Sequence, residues 1–295
     1  MKKTAFIAIV GRPNVGKSTL LNAILGEKVA IVSKKPQTTR NRITGIYTEA
    51  ENQIVFLDTP GMHKPRNRLG DFMVKTANRT LGGVESAILV VEPREAVGDI
   101  EAEFIKRFKE DGIGAILVIN KTDSFRKENI AKTIAAYAEA FDFDAVVPIS
   151  AKSGKGVETV ISECERYLYE SDWMFPDDIV TDQPERRIAS EIIREKILRM
   201  MDEEIPHGVA VTVEEWKEKR GTVSIRAEIY CEKQTHKGII IGKGGATIKK
   251  IGTFAREDIE KMLDTKVFLD LYVRVKENWR DSDFIISDFG FKEEE

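Results

Sequence analysis

Cysteine and histidine are scarce in this chain of 295 residues. Cys164 and Cys231 lie in different halves and form no C-x-x-C pair. Neither a disulfide framework nor a cysteine-based zinc site is therefore expected, and reduced thiols fit a cytoplasmic protein. His63, His207 and His236 are too dispersed to suggest a metal site.

Long apolar runs and an excess of one charge are also missing. No stretch approaches the length of a transmembrane helix. The apolar run that ends at Val10 is too short for a secretion signal and continues without a cleavage site. A net charge of −3 means that any nucleic-acid surface must be local. The length suits two domains of a soluble globular protein.

Residues 11–18 match the phosphate-binding pattern G-x-x-x-x-G-K-[ST], between an apolar run and a helix-like segment. Its glycines let backbone N–H groups point at phosphates, helped by the positive end of the following helix. Lys17 would reach the β- and γ-phosphates, and the Ser18 hydroxyl would coordinate Mg²⁺. Nucleotide contacts are predicted for Gly11, Arg12, Pro13, Asn14, Val15, Gly16, Lys17, Ser18 and Thr19.

A second motif follows the next apolar run and consists of Asp58, Thr59, Pro60 and Gly61. Asp58 would hold a metal-bound water, and the Gly61 N–H would contact the γ-phosphate. A plain Pro-Gly turn is the alternative interpretation. Its position after the phosphate loop favours the nucleotide interpretation.

The motif Asn120-Lys121-Thr122-Asp123 is predicted to select the base of the bound nucleotide. A carboxylate at Asp123 accepts two hydrogen bonds, which matches guanine N1–H and its 2-amino group but not adenine. Lys121 would lie along the base, and Asn120 would brace the loop. After the next apolar run, Ser150-Ala151-Lys152 is predicted to offer a backbone N–H to guanine O6.

Apolar runs alternate with helix-like stretches throughout the first half, which predicts an α/β domain with a mostly parallel sheet. The motifs all follow apolar runs, where ligands bind in such sheets. Predicted strands cover 5–10, 54–57, 87–91, 115–119 and 145–149, and predicted helices cover 17–25, 71–81, 99–109, 127–140 and 157–169. We divide the chain into a GTPase domain at 1–171, a linker at 172–184 and a second domain at 185–295.

The second half follows the order helix, strand, strand, glycine loop between helices, helix, strand, and turns from the first strand to the second at 217–221. This order predicts a smaller α+β domain of the type II KH class, which binds single-stranded RNA. The segment from Lys237 to Arg256 is basic and has no carboxylate, whereas a simple turn beside a solvated helix face is the alternative. Predicted RNA-binding residues are Lys237, Ile241, Gly242, Lys243, Gly244, Gly245, Lys249 and Lys250, with Ile239–Ile241 as an apolar platform. The acidic tail at 293–295 is expected to be solvated.

The three motifs resemble those of translation-factor-related GTPases. By that resemblance, Gln37-Thr38-Thr39-Arg40 is a switch segment in which Thr39, with Thr38 as the alternative, completes the Mg²⁺ shell. Met62 stands where many GTPases carry a water-orienting glutamine, so slow intrinsic hydrolysis is expected. Asn14 either holds a K⁺ ion, as its equivalent does in some relatives, or only shapes the loop. The expected catalytic groups are Lys17, Thr39, Gly61 and Asn14.

The whole chain resembles the bacterial Era family of GTPases. That resemblance implies a GTPase that binds small-subunit ribosomal RNA near its 3′ end during 30S assembly, in the cytoplasm or peripherally at the inner face of the cell membrane. Mg²⁺ is the implied cofactor, with K⁺ as a second candidate. Two alternatives stay open: a signalling GTPase whose second domain binds a protein, and an RNA-binding module that has lost hydrolysis.

Overall fold

A computed structural model describes residues 1–62, 65–202, 205–219 and 221–292. The chain divides into two compact units. The first comprises 1–30, 39–64 and 73–182, and the second comprises 31–38, 65–72 and 183–295. The second unit thus contains two segments that the division predicted from sequence does not place there. The predicted acidic tail lies outside the described residues.

The first unit is a twisted sheet with helices on both faces. Its strands run in the order β2-β3-β1-β4-β5-β6, and β7 pairs with β1. Pairings along β3-β1-β4-β5-β6 are parallel, whereas β2 on β3 and β7 on β1 are antiparallel. The strands are β1 Lys3–Val10, β2 Ile43–Glu49, β3 Asn52–Asp58, β4 Ser86–Val91, β5 Gly114–Ile119, β6 Ala145–Pro148 and β7 Tyr169–Glu170.

Five helices accompany these strands in the sequence: α1 Lys17–Leu25, α2 Arg68–Thr80, α3 Asp99–Asp111, α4 Lys127–Ala140 and α5 Val157–Cys164. Alternate residues of β1 enter two apolar cores, Ile7 and Ile9 on one face and Ala8 and Val10 on the other. Burial on both faces explains why the central strands are continuous apolar runs. These strands end at one edge of the sheet, where their loops carry the three motifs.

The main differences from the prediction are one strand that it missed and two helices with different bounds. Strand β2 was not predicted, because its mixed sequence with a central glycine and two threonines gives no continuous apolar run. Helix α5 ends at Cys164 rather than Tyr169, since a 3₁₀ turn and the short strand β7 follow it. Helix α2 begins at Arg68 rather than Asp71.

The second unit places helices on one face of a three-stranded sheet ordered β10-β9-β8. Strand β10 is parallel to β9, and β8 is antiparallel to it. Strand β8 pairs up to Lys219, so the predicted turn from 217 is shorter than expected, and Arg220 within it lies outside the described residues. The elements are α6 Glu185–Met200, β8 Ala210–Lys219, β9 Thr222–Cys231, α7 Gln234–Ile241, α8 Ala246–Leu263, β10 Lys266–Val275 and α9 Asp283–Asp288.

An aromatic cluster closes this unit after β10. The Trp279 indole is fully buried and donates its N–H to the Gly208 carbonyl at 2.9 Å. Phe289 and Phe291 pack on that indole with ring centroids 5.3 and 6.2 Å away. Phe291 also meets Phe72, from the 65–72 segment, edge to face at 6.3 Å. The aromatic residues of the chain's end therefore form a core that includes an early segment of the sequence.

Candidate nucleotide and RNA sites

The phosphate loop joins β1 to α1 and is built around backbone that excludes a side chain at Gly16. Its φ of 102° is unfavourable for other residues, and a Cβ there would lie 2.2 Å from Asn120 Nδ2. Lys17 Nζ lies 3.0 Å from the carbonyl oxygens of Gly11 and Arg12. Burial lowers the pKa of Lys17 to about 8, against the opposing effect of Asp58.

Three oxygen side chains meet beside this lysine. Ser18 Oγ donates to Asp58 Oδ2 at 2.6 Å and lies 2.8 Å from Thr39 Oγ1. Thr38 differs, since its hydroxyl donates to the Lys35 carbonyl at 2.7 Å. Of the two candidate threonines, the structure thus brings Thr39 to the other predicted metal ligands.

Asp58 has the properties of a ligand to a hard cation. Its side chain is fully buried, and its Oδ1 makes no hydrogen bond within the described part of the chain. Burial raises the pKa of this carboxyl group to about 6, although Lys17 and the Ser18 hydroxyl act to lower it. A buried carboxylate oxygen without a partner beside two hydroxyls is a donor set that suits Mg²⁺.

These two pKa values predict a pH window for nucleotide binding. Below about 6 a proton competes with Mg²⁺ for Asp58, and above about 8 the Lys17 ammonium that phosphates require is lost. Affinity for Mg²⁺-GDP should therefore be highest between these limits and fall by up to about tenfold per pH unit outside them. The terminal phosphate of the nucleotide itself has a pKa of about 6. The measurement therefore compares the loss of nucleotide affinity at low pH in wild type with the loss in Asp58→Asn, because the phosphate contributes equally to both. An equal loss of affinity at low pH in that variant would contradict the assignment of Asp58 as a Mg²⁺ ligand.

The backbone at the second motif packs on the phosphate loop. A Cβ at Gly61 would lie 2.7 Å from the Pro13 nitrogen, so a larger residue would push the two loops apart. Met62 is buried in the core with Ala77 and Leu81. Its side chain is therefore a core element, and position 62 offers no polar group for orienting water.

Asn120 connects the phosphate loop to both base-binding loops. Its Nδ2 donates to the Val15 carbonyl at 2.8 Å. Its Oδ1 accepts from the backbone N–H groups of Lys121 at 2.7 Å and Ala151 at 3.0 Å. Asp123 stands exposed on the same loop. The bracing role predicted for Asn120 thus has a direct geometric basis.

Two groups of residues that are predicted to contact the base also make contacts within the protein. The Ala151 N–H donates to Asn120 Oδ1 at 3.0 Å, and the Ser150 N–H donates to the Lys155 carbonyl at 3.0 Å. The N–H bond from this triplet to guanine O6 stays a prediction. Lys121 Nζ donates to the Asn14 carbonyl at 2.7 Å, so the lysine also ties the base loop to the phosphate loop. Asn14 itself is exposed at a φ of 66°.

Two acidic residues at the site were missed by the sequence reasoning. Glu92, just after β4, forms an ion pair with Lys121. Glu101, fully buried in α3, forms an ion pair with Arg12 of the phosphate loop. The Arg12 side chain is thus held by α3, and its contribution to phosphate binding would come from its backbone. Both pairs join residues far apart in sequence, and no local pattern indicates them.

The glycine loop between α7 and α8 leaves space for a ligand to approach the backbone of the loop. At Gly242, with φ of 74°, a Cβ would lie 2.2 Å from Thr247 Oγ1. Gly244 and Gly245 also have positive φ, but nothing lies within 4 Å of a Cβ at either position. The first glycine is therefore required by packing, and the other two leave the loop open to a ligand.

The side chains around this loop differ in their exposure to solvent. Lys243, Lys249 and Lys250 are exposed, whereas Lys237 and Ile241 are half-buried. Within the predicted apolar platform, Ile239 is 51% exposed but Ile240 is fully buried in the core. The platform is thus narrower than predicted, because the middle isoleucine faces the core of the unit.

Comparison with known proteins agrees with this architecture. A family model described as a 50S ribosome-binding GTPase matches residues 6–121, and a KH domain model matches residues 204–280. The chain is 48% identical to the GTPase Era of Clostridium kluyveri and to that of Clostridium novyi, covering 99% of this chain and 100% of each relative.

Two solved structures share the fold over its full length. One is a crystal structure of Era in complex with MgGDPNP and nucleotides 1506–1542 of 16S ribosomal RNA, with 36% identity and a TM-score of 0.94 over 99% of both chains. The other is an Aquifex aeolicus Era variant bound to GDP and aluminium fluoride, with 37% identity and a TM-score of 0.94 over 98% of this chain and 99% of that one.

Fold and site together define a P-loop GTPase domain followed by a KH domain. The extent and identity of the full-length matches make the family clear: this chain belongs to the Era GTPases. In the parts that the structure describes, none of the helices is both long and apolar enough to cross a membrane.

Proposed function

We propose that this protein hydrolyses GTP and uses its KH domain to bind small-subunit ribosomal RNA near the 3′ end during 30S assembly. The observation that carries the nucleotide part is the set of three hydrogen bonds at the Asn120 side chain, one donated and two accepted, which ties the guanine-selecting loop to the phosphate loop. The observation that carries the RNA part is the open, positive-φ backbone at Gly244 and Gly245 beside exposed lysines.

Ser18, Asp58 and Thr39 would hold Mg²⁺, which when bound offsets negative charge on the β- and γ-phosphates. Lys17 would leave the two loop carbonyls and donate to the same phosphates, which would raise its lowered pKa. The Gly61 N–H would meet the γ-phosphate. With Met62 in the core, attacking water would be positioned by backbone or by another group, and we expect slow intrinsic hydrolysis.

K⁺ is proposed as the additional charge at this site, with Asn14 as its ligand. Wild-type hydrolysis should then be several-fold faster in KCl than in NaCl at equal ionic strength. Asn14→Ala should remove that difference while GDP affinity changes little, because the Asn14 contact to Lys121 comes from its backbone. The measurement is steady-state phosphate release in both salts. Equal wild-type rates would leave Asn14 with only a role in shaping the loop.

The RNA proposal is tested by direct binding. Affinity for a single-stranded fragment from the 3′ end of small-subunit ribosomal RNA should exceed affinity for a scrambled fragment of equal length and charge. Sedimentation with purified 30S and 50S subunits then shows which ribosomal subunit the protein binds. Both subunits are tested because the GTPase family model that matches this chain is described as a 50S ribosome-binding GTPase. Equal affinity for both fragments, with no binding to 30S subunits, would refute the proposal.

The other candidate is a signalling GTPase whose second unit binds a protein. It has less support, because the open glycine loop and exposed lysines favour a polyanion. Contact with a membrane surface remains a separate prediction. Flotation with anionic vesicles, in the presence and absence of competing RNA, tests it.

A further inference from the structure

Helix α3 has in its first turn a carboxylate that burial disfavours. Glu101 is fully buried there, although the positive end of the helix offsets part of its charge. Its Oε1 forms an ion pair with Arg12 Nε of the phosphate loop, whereas its Oε2 makes no hydrogen bond within the described part of the chain. A buried ion pair with an unsatisfied oxygen adds little to stability compared with apolar residues of similar size. The pair therefore needs an explanation other than stability.

The local structure makes room for this pair. A Cβ at Gly98, the residue before the helix, would lie 2.5 Å from Glu101 Oε2, so the glycine provides the space for the carboxylate. The Arg12 side chain is 17% exposed, and yet its guanidinium is directed at the buried Glu101. Both partners belong to the first unit. The structure thus holds the Arg12 side chain at one place on α3.

Arg12 lies where the phosphate loop packs on its neighbours. A Cβ at Gly11 would lie 2.4 Å from the carbonyl oxygen of Val90 in β4, so the loop has no room to shift there. The carbonyls of Gly11 and Arg12 both accept from Lys17 Nζ at 3.0 Å. Because Pro13 has no backbone N–H, the Arg12–Pro13 peptide provides the loop with an acceptor only. Fixing Arg12 therefore fixes an acceptor of the Lys17 ammonium group.

We infer that Glu101 is a positioning residue for phosphate binding: by holding Arg12, it sets the carbonyls that direct Lys17 toward the β- and γ-phosphates. The inference rests on the nucleotide part of the proposed function, since the direction of Lys17 matters only where those phosphates bind. Guanine is bound by other loops, so its contribution to affinity should not depend on Glu101. A buried residue of α3 would thus tune phosphate affinity from outside the binding site.

The test replaces both ions in Arg12→Met/Glu101→Met, which introduces apolar side chains of similar length. Replacing a buried ion pair by apolar residues is often neutral or stabilising, so this variant should unfold at a urea concentration no lower than wild type. Its GDP affinity should nevertheless fall by about tenfold, the effect of losing one charge-assisted hydrogen bond. Its GMP affinity should stay unchanged, because GMP has no β-phosphate. Competition of GDP and GMP against a fluorescent guanine nucleotide measures both affinities.

Two further variants complete the experiment. Glu101→Gln keeps the shape and an acceptor for Arg12 but removes the charge, so it should show a smaller loss for GDP and none for GMP. Glu95→Met/Lys132→Met is the matched control, because this ion pair joins the same β4–α3 connection to α4, with Nζ and Oε1 2.6 Å apart. Its affinities for GDP and GMP should both equal those of wild type.

The ratio of GDP affinity to GMP affinity decides the outcome. A wild-type ratio in the folded double variant would overturn the inference, and so would an equal fall of this ratio in the control. If the double variant does not fold, the ratio in Glu101→Gln decides in the same way. Failure of the proposed function would appear differently, as wild-type protein that binds GDP no more tightly than GMP.

Discussion

Asp123→Asn should change this GTPase into an enzyme that prefers xanthosine triphosphate. Asparagine keeps one acceptor, which suits N1–H, and adds a donor that suits the 2-carbonyl of xanthine but opposes the 2-amino group of guanine. Unpaired polar groups at a binding site discriminate by about 10⁴-fold, so we expect a loss of GTP affinity on that order. The measurement is competition of GTP, XTP and ATP against a fluorescent nucleotide.

The variant should stay folded, because Asp123 is exposed and Asn120, not Asp123, holds the loops together. Hydrolysis of XTP by Asp123→Asn should approach that of GTP by wild type, since the phosphate and metal groups are unchanged. Asp142→Asn, another exposed carboxylate in the same unit, serves as the control and should keep guanine selectivity. Tight GTP binding by Asp123→Asn would refute the assignment.

Gly244→Asp should abolish most RNA binding while the nucleotide site keeps working. The substitution places a negative side chain in space that the structure leaves open, at a φ of 59°. A carboxylate there opposes RNA phosphates directly, so affinity should fall by at least about tenfold. The salt dependence of residual binding should flatten by about 0.7 in log–log slope for each RNA phosphate that the protein no longer neutralises. Filter binding over a range of KCl concentrations measures both quantities.

Gly221→Asp provides a control with the same chemistry. Gly221 lies in the same unit, has a φ of 75° and has nothing within 4 Å of a Cβ position. It precedes β9 at the turn from β8, away from the glycine loop in sequence. Its RNA affinity should match wild type. If Gly244→Asp also binds RNA normally while folded, the RNA site lies elsewhere.

The nucleotide site could be predicted because its chemistry is local in sequence. Residues 11–18 form a loop whose spacing alone positions N–H groups, a lysine and a hydroxyl. The apolar runs predicted the buried strands for the same reason, since each strand shows its burial in its own residues. Strand β2 could not be found this way, because its pairing with β3 rather than its composition makes it a strand.

Long-range partners account for what the sequence left out. Glu92 and Glu101 are ordinary charged residues in their local context. Their roles depend on Lys121 and Arg12, which lie 29 and 89 residues away. Only folding brings these pairs together. The same applies to Ile240, whose neighbours in sequence gave no sign that it would face the core.

The second unit is built from three separate segments of the sequence, and this has a consequence during translation. Residues 31–38 and 65–72 leave the ribosome before residues 183–295, with which they pack. At about 5–20 residues per second, helix α6 follows on the order of ten seconds later. The nascent chain therefore contains these two early segments well before it contains the helix with which they pack. Until that helix appears, the Val32 backbone lacks its partners Glu195 and Arg199, so completion of the chain itself would time the ordering of the 31–38 segment.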